Sequence, residues 1–174
     1  MTSDRSNARE SLAGELAVDP DPETIDTPTR PPRPVHLHWR YIGLVFAGGA
    51  IGTCLRYFLS LAIPSWNGLP VAIFVINVTG AFILGWLLES LSRGGPDHGL
   101  RRSIRLFVGT GILGGYTTYS SFAVDTDGLI ASAQFANSIL YGLATVIVGA
   151  AASASGIALG AAIHRLRLRR AVNP

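Results

Sequence analysis

The stretch Gly109-Thr110-Gly111-Ile112-Leu113-Gly114-Gly115-Tyr116-Thr117-Thr118-Tyr119-Ser120-Ser121-Phe122 decides the fold. It lies in an apolar run, Ile104–Val124, that opens with Arg105 and is crowded with Gly, Thr, Ser and Tyr. Paired glycines followed by Thr-Thr make poor continuous helix. Glycine costs about 1 kcal/mol against alanine, and β-branched residues lose χ1 freedom. The run therefore predicts a helix broken near Gly114–Thr118. Broken backbone at membrane depth persists only where its polar groups find protein, water or an ion. Carbonyls released there suit a hard monovalent cation, and nearby hydroxyls can donate outward. Tyr119 and Phe122, one helical turn apart, share a face. Their positive ring edges can turn toward an anion, although core packing is the commoner use of such a pair.

Outward from this segment, three further apolar runs appear. Tyr41–Ile63 is apolar except for Arg56 and is bracketed by Trp39 and Trp66, residues suited to membrane interfaces. Val71–Leu88 is charge-free over eighteen residues and ends beside Glu89. Leu129–Ile163 is charge-free over thirty-five residues. A span needs roughly 20, so this last helix must tilt or overshoot. Connectors at Pro64–Pro70, Arg93–Arg101 and Asp125–Gly128 hold the expected breakers. The expected fold is an all-α membrane protein of four transmembrane helices with a break in the third. This unit covers residues 39–166 and is followed by a short basic tail, 167–174.

Composition agrees. Of 174 residues, 48% are hydrophobic and 14% charged, with a mean hydropathy of +0.36. Residues 1–40 hold seven acids, five arginines and six of the ten prolines, whereas residues 41–174 hold nine arginines and four acids. The first 38 residues therefore read as a disordered cytosolic tail without the apolar core of a secretory signal. His36 and His38 form a lone H-x-H, a weak metal signal better read as a polar strip. The remainder is too apolar for a soluble domain. Its basic residues flank apolar runs and form no continuous face, which argues against nucleic-acid binding. The single cysteine, Cys54, excludes an intrachain disulfide.

The arginines also set an orientation. Arg30, Arg33 and Arg40 precede the first run; Arg93, Arg101, Arg102 and Arg105 lie between the second and third; Arg165, Arg167, Arg169 and Arg170 follow the fourth. The other two connectors carry none, and one holds Asp125 and Asp127. The bias places both termini in the cytoplasm of a multi-pass cell-membrane protein.

Several polar residues sit where a bilayer penalises them. Arg56 would cost ~2.5–3.5 kcal/mol at mid-depth, so it snorkels, pairs or lines water, as an anchor or an electropositive vestibule. Gly48 and Gly52, with Gly49 between them, form a G-x-x-x-G stripe that admits a second backbone. Asn77 is central in the second run, near Thr79 and Gly80. Its amide is either interhelical glue or a donor for a dehydrating anion. The fourth run offers Asn137, Ser138, Tyr141 and Thr145, the last two one turn apart.

This constellation resembles the Fluc (CrcB) family of fluoride channels across residues 41–165. The matching elements are G-G-A-I-G-T-C-L-R-Y at Gly48–Tyr57, N-V-T-G-A-F-I-L-G at Asn77–Gly85 and G-T-G-I-L-G-G-Y-T-T-Y-S-S-F at Gly109–Phe122. The resemblance implies small four-helix subunits paired as antiparallel dimers, with two fluoride pores along the subunit interface. It implies a structural sodium ion held by the backbone carbonyls of Gly114 and Thr117. Asn77 falls on the family's pore amide and Arg56 on its arginine. Tyr119 and Phe122 fall on its pore phenylalanines, Tyr141 and Thr145 on the polar track of its fourth helix, with Ser120 and Thr118 as further hydroxyl candidates. Four positions depart from the family pattern: Tyr119 for Phe, Gly149 for Ser or Thr, Thr53 for Ala, and Ala72-Ile73 for Gly-Thr.

Fluoride fits such a lining. A small, tightly hydrated anion needs donors in place of water, and a fully charged well would hold it too tightly to release. The expected activity is passive fluoride export, which limits fluoride toxicity and involves no enzyme chemistry. The alternative, a small four-helix proton-coupled exporter of the multidrug type, needs a titratable carboxylate within the membrane. Glu89, Asp125 and Asp127 are expected at span ends instead. An intramembrane enzyme would need a nucleophile with a base beside it, and Cys54 has no histidine near it in sequence. Partners are the bilayer and a second subunit: either a homodimer of chains inserted both ways, or a heterodimer with an oppositely oriented paralogue, which the one-sided arginines favour.

Overall fold

The computed structural model describes residues 38–172; the N-terminal tail, with His36, Arg30 and Arg33, lies outside the described residues, as do the last two positions. Four longer helical stretches are joined by short connectors. Helix α1 spans Trp39–Ala62 and α2 spans Val71–Ser92. The third stretch is composite: α3, Leu100–Ile104, passes into a π-helical segment, Arg105–Leu113, and then a single turn, α4, Gly114–Tyr116. After a two-residue interruption come α5, Tyr119–Ala131, and α6, Phe135–Val172. Among the described residues there is no strand beyond an isolated bridge between Trp66 and Leu69. α1, α2 and α6 are each long and apolar enough to cross a membrane.

Two seams hold the bundle, and both depend on missing side chains. Gly48 and Gly52, the buried residues of α1, lie against the π-helical segment. A Cβ on Gly48 would run into the Phe107 carbonyl, and one on Gly52 into the Ile112 carbonyl and, at 2.8 Å, the Tyr116 nitrogen. Gly48 meets Gly111 while Gly52 meets Ile112 and Tyr116, so the two stretches run parallel. The second seam joins α2 to α6. Gly85 abuts the Ser153 backbone, Gly156 abuts Phe82 and Trp86, and Gly160 abuts Trp86 and Glu89, again in parallel. Small residues let backbones approach closely where lipid offers no hydrophobic driving force between helices.

These directions gather the start of α1, the end of α2, the start of α3 and the end of α6 at one end of the bundle. Trp39 and Trp66, 85% and 72% exposed, stand at opposite ends of α1. The wide outward faces are apolar, including Phe46, Phe58, Leu61, Ile139 and Leu143, as a lipid-facing surface requires.

One connector differs from the expectation. Asp125–Gly128 is helical, inside α5, and the turn falls at Ser132–Gln134. Leu129–Ala131 therefore close α5 and do not open the fourth run, which starts at Phe135. Helix persists through Asp-Thr-Asp-Gly because Thr126 Oγ1 turns back onto the Phe122 carbonyl (2.7 Å), and Ser138 Oγ on α6 donates to the Thr126 carbonyl (3.1 Å). Ala133, at φ 60°, makes the real reversal, and the Gln134 N–H closes it on the Leu129 carbonyl. At the other end, α6 runs unbroken past residue 166 to Val172.

Candidate functional site

The helix break falls at Thr117 and Thr118, both extended, at φ −75°, ψ 153° and φ −149°, ψ 126°. Side chains replace the helical hydrogen bonds lost there. In an unbroken helix the Thr118 N–H would bond the Gly114 carbonyl. Here it donates to Asn77 Oδ1 at 2.9 Å, while Asn77 Nδ2 donates to the Thr118 carbonyl at 3.0 Å. One amide from α2 thus satisfies both polar groups of a single residue in the break. The Ser121 N–H, which would otherwise seek the Thr117 carbonyl, donates to Thr118 Oγ1 at 3.2 Å as an N-cap. The same hydroxyl lies 3.1 Å from Ser120 Oγ and 3.3 Å from Ser121 Oγ. Thr117 turns its own hydroxyl to the Leu113 carbonyl (2.9 Å). The carbonyls of Gly114 and Thr117 are thereby relieved of their helical partners.

A groove of about 590 Å³ opens beside the break. Its walls bring together Asn77, Gly114, Thr117, Thr118, Tyr119, Phe122 and Thr145, with Ala81, Leu84, Val146 and Gly149 completing them. Asn77 has two amide hydrogens and Thr118 takes one, which leaves a donor at the groove wall. Thr145, buried on α6, back-bonds to the Tyr141 carbonyl (2.7 Å). A Cβ at Gly149 would meet nothing within 4 Å.

The aromatic residues form a tilted ladder. Tyr119 and Phe122 have ring centroids 6.0 Å apart, and Phe122 and Tyr141 are 5.5 Å apart. Tyr119 is 80% exposed on the open side, whereas Tyr141 is buried behind Phe122. The two rings flanking Phe122 therefore have opposite environments.

Not every expected residue lines this groove. Ser120 faces a second groove of about 530 Å³, with Ser60, Ser65, Ser121 and Asp125 among its walls. Arg56 is half-buried on the stripe that runs from Gly48 through Gly52 to Ser60, and its carbonyl accepts from Ser60 Oγ (2.8 Å). It is not among the residues lining the first groove. Asp125, expected in a loop, is half-buried within α5. Its carboxylate lies close to the Tyr141 hydroxyl, with no well-aligned hydrogen bond between them. The sequence contained the clue: Phe122 and Asp125 are three residues apart, one helical turn, but the Asp-Gly composition suggested a turn. Tyr116 was also passed over; its hydroxyl lies 2.9 Å from Thr79 Oγ1 and ties α4 to α2.

A glycine-seamed bundle with its third helical stretch interrupted and secured by a membrane-depth asparagine invites comparison with known families. A family model described as "CrcB-like protein, Camphor Resistance (CrcB)" matches residues 43–157. The chain belongs to the CrcB family. The match starts just before the α1 glycine stripe and ends within α6, so the first seam, the break and the second seam as far as Gly156 lie inside it. Among curated relatives in this family, the chain is 62% identical over 130 residues to the fluoride-specific ion channel FluC 2 of Leifsonia xyli subsp. xyli, covering 75% of this chain and 90% of the relative. It is 46% identical over 110 residues to FluC 1 of Cutibacterium acnes, covering 63% of this chain and 77% of that protein. It is 38% identical over 120 residues to FluC of Oceanobacillus iheyensis, covering 69% and 91%.

Among the described residues no group of three or more His, Cys, Asp or Glu could hold a metal. The oxygen donors at the break are backbone carbonyls, a different donor set that suits a weakly charged, hard cation.

Proposed function

We propose that this CrcB-family chain is a subunit of a passive, fluoride-selective channel that lets fluoride leave the cytoplasm. The observation that carries the reading is the Asn77–Thr118 clasp on the groove wall, in a chain whose relatives are named fluoride-specific ion channels. The clasp fixes one amide donor at membrane depth without placing a charge there. Thr145 and Thr118 line the groove with hydroxyls, turned to the Tyr141 carbonyl and to the Ser120–Ser121 pair, and Tyr119 and Phe122 add ring edges. Such a lining replaces the water around a small anion while holding it weakly enough to pass. Ser120 and Tyr141 fit an adjoining part of the path, at the second groove and the back of Phe122. Arg56 fits a structural or vestibule role on the α1 stripe.

The subunit would cross the membrane four times, counting α3 through α5 as the third, broken span. The one-sided distribution of arginines along the sequence supports a reading with both termini in the cytoplasm. The groove is open on its Tyr119 side, which suits completion by a second, oppositely oriented subunit. A one-sided arginine distribution suits a partner of reverse bias, hence a paralogue. Numbered names occur among the relatives, FluC 2 in Leifsonia xyli and FluC 1 in Cutibacterium acnes. Cysteines engineered at Ser132–Gln134 report the orientation: labelling from one side only supports the heterodimer, and labelling from both sides supports a homodimer of identical chains.

A structural sodium ion fits the carbonyls of Gly114 and Thr117, the two whose helical donors have been redirected. A cation there would neutralise released carbonyl dipoles and brace the break. The proton-coupled exporter has no support among the relatives.

The test is efflux from liposomes loaded with fluoride or chloride, without a proton gradient. The expected result is rapid fluoride loss with chloride retained. Flux that requires a proton gradient, or that carries chloride equally well, would refute the reading.

A further inference from the structure

The bundle end that gathers the arginines carries more positive charge than its acids neutralise. Among the described residues only Glu89 and Asp97 are acidic at that end. Glu89 is engaged by Arg93, and Asp97 by both Arg105 and Arg102 (3.7 Å). Arg40, Arg165, Arg167 and Arg169 are exposed and form no ion pair among the described residues. Three of these four lie on the final turns of α6.

Those turns also project. α6 has 38 residues, about 57 Å of helix against a hydrocarbon core of roughly 30 Å. Its arginine-bearing turns therefore reach the headgroup layer or beyond. Leu166 and Leu168, 57% and 55% exposed, alternate with the arginines there. Arginine and leucine are thus interspersed around the helix and not sorted into an apolar and a polar face. A groove-binding or coiled-coil helix would sort them. At a bilayer surface the mixture is satisfied on every side, because leucines dip toward the acyl region and arginines extend to phosphates. The chain contains no lysine. Apart from its histidines, every basic side chain is a guanidinium, which stays charged and grips phosphate oxygens with two parallel hydrogen bonds.

We infer that the projecting end of α6, through Arg165, Arg167 and Arg169, is a docking surface for the headgroups of anionic phospholipids. Helix placement by charge bias alone requires no lipid preference, so the two accounts differ in what they predict. The experiment uses the full chain, delipidated in neutral detergent and immobilised. Retention of phosphatidylglycerol and phosphatidylcholine is then measured on the wild type and on the combined Arg165→Gln, Arg167→Gln, Arg169→Gln variant. Arg93→Gln, which alters a paired arginine, serves as the comparison.

Phosphatidylglycerol should be retained in preference to phosphatidylcholine. Retention should fall as salt rises and drop roughly tenfold or more in the triple variant, since each arginine near an anionic surface contributes measurably. Arg93→Gln should retain lipid as the wild type does. Equal retention of the two lipids, no loss in a triple variant that elutes like the wild type, or displacement by inorganic phosphate at matched ionic strength would overturn the proposal. Should the triple variant not fold, salt-independent retention by the wild type overturns it as well. None of these readings depends on fluoride flux.

Discussion

The break at Thr117–Thr118 and the helix α6 lie side by side in equally apolar sequence, yet one loses its helix at two residues and the other keeps it for 38. The difference is not composition, for α6 also contains glycines, serines and a threonine. In α6 each hydroxyl with a bond inside the helix folds back onto the preceding turn, as Thr145 does to Tyr141 and Ser155 to Ala151. Two of its glycines, Gly156 and Gly160, accommodate α2. At the break, a side chain from another helix supplies both a donor and an acceptor to one residue. A chain in lipid can abandon its helix where something else meets its backbone, and Asn77 meets it here.

The comparison breaks first if the seams fail. Gly52→Leu should have the largest effect, since the clash is with the backbone of Ile112 and Tyr116 and not with a movable side chain. The cost should exceed about 3 kcal/mol and appear as loss of folded, monodisperse protein in detergent. Gly149→Ser, where a Cβ meets open space, should leave thermal stability unchanged. A tolerated Gly52→Leu would show that the α1 seam is looser than described.

The clasp comes next. Asn77→Ala leaves the N–H and carbonyl of Thr118 without their partners, at about 2–4 kcal/mol for two buried groups, measurable by thermal unfolding. The same truncation at Asn137, whose amide only reaches Gln134 near a loop (2.9 Å), should cost under about 1 kcal/mol. Equal costs would remove the distinction between a bond that holds a break and one that decorates a helix end.

The backbone account of the cation site predicts small changes at Thr117. Thr117→Ser keeps the hydroxyl that reaches Leu113 and leaves the carbonyl in place, so sodium-dependent stabilisation should persist within about twofold. Loss of that dependence would move the site to side chains.

Tyr119→Phe should be the mildest. Tyr119 is 80% exposed, and phenylalanine keeps its ring against Phe122, so unfolding should shift by less than about 0.5 kcal/mol. Any effect should appear in fluoride flux alone, which would separate the hydroxyl's contribution from the ring's.

Much of this was legible in the sequence, for physical reasons. Apolar length exposed α1, α2 and α6, and the Gly-Gly-Tyr-Thr-Thr run located the break, because helix propensity fails there before any tertiary contact is considered. The small-residue stripe at Gly48 and Gly52 implied close packing, and the structure supplies its partner. The turn after α5 was misplaced because Asp125-Thr126-Asp127-Gly128 has loop composition, while its helix is sustained by a hydrogen bond that Thr126 donates back to the Phe122 carbonyl and one that its own carbonyl accepts from Ser138 on α6, a contact no local pattern shows. The π-helical register of Arg105–Leu113 leaves no composition signature. Asn77 could be read as glue or as a donor. Its geometry supplies the first role and leaves one amide hydrogen for the second, a distinction that depends on where Thr118 lies, 41 residues away.

The central claim is that the amide holding the break also faces the fluoride path. Efflux through purified Asn77→Asp in liposomes tests it most directly. Aspartate keeps an acceptor for the Thr118 N–H, so the protein should fold and reconstitute. It removes the amide donor and places a negative charge beside the groove, and fluoride efflux should fall close to that of empty liposomes. Wild-type efflux through well-folded Asn77→Asp protein would contradict the account and leave Asn77 as a structural clasp alone.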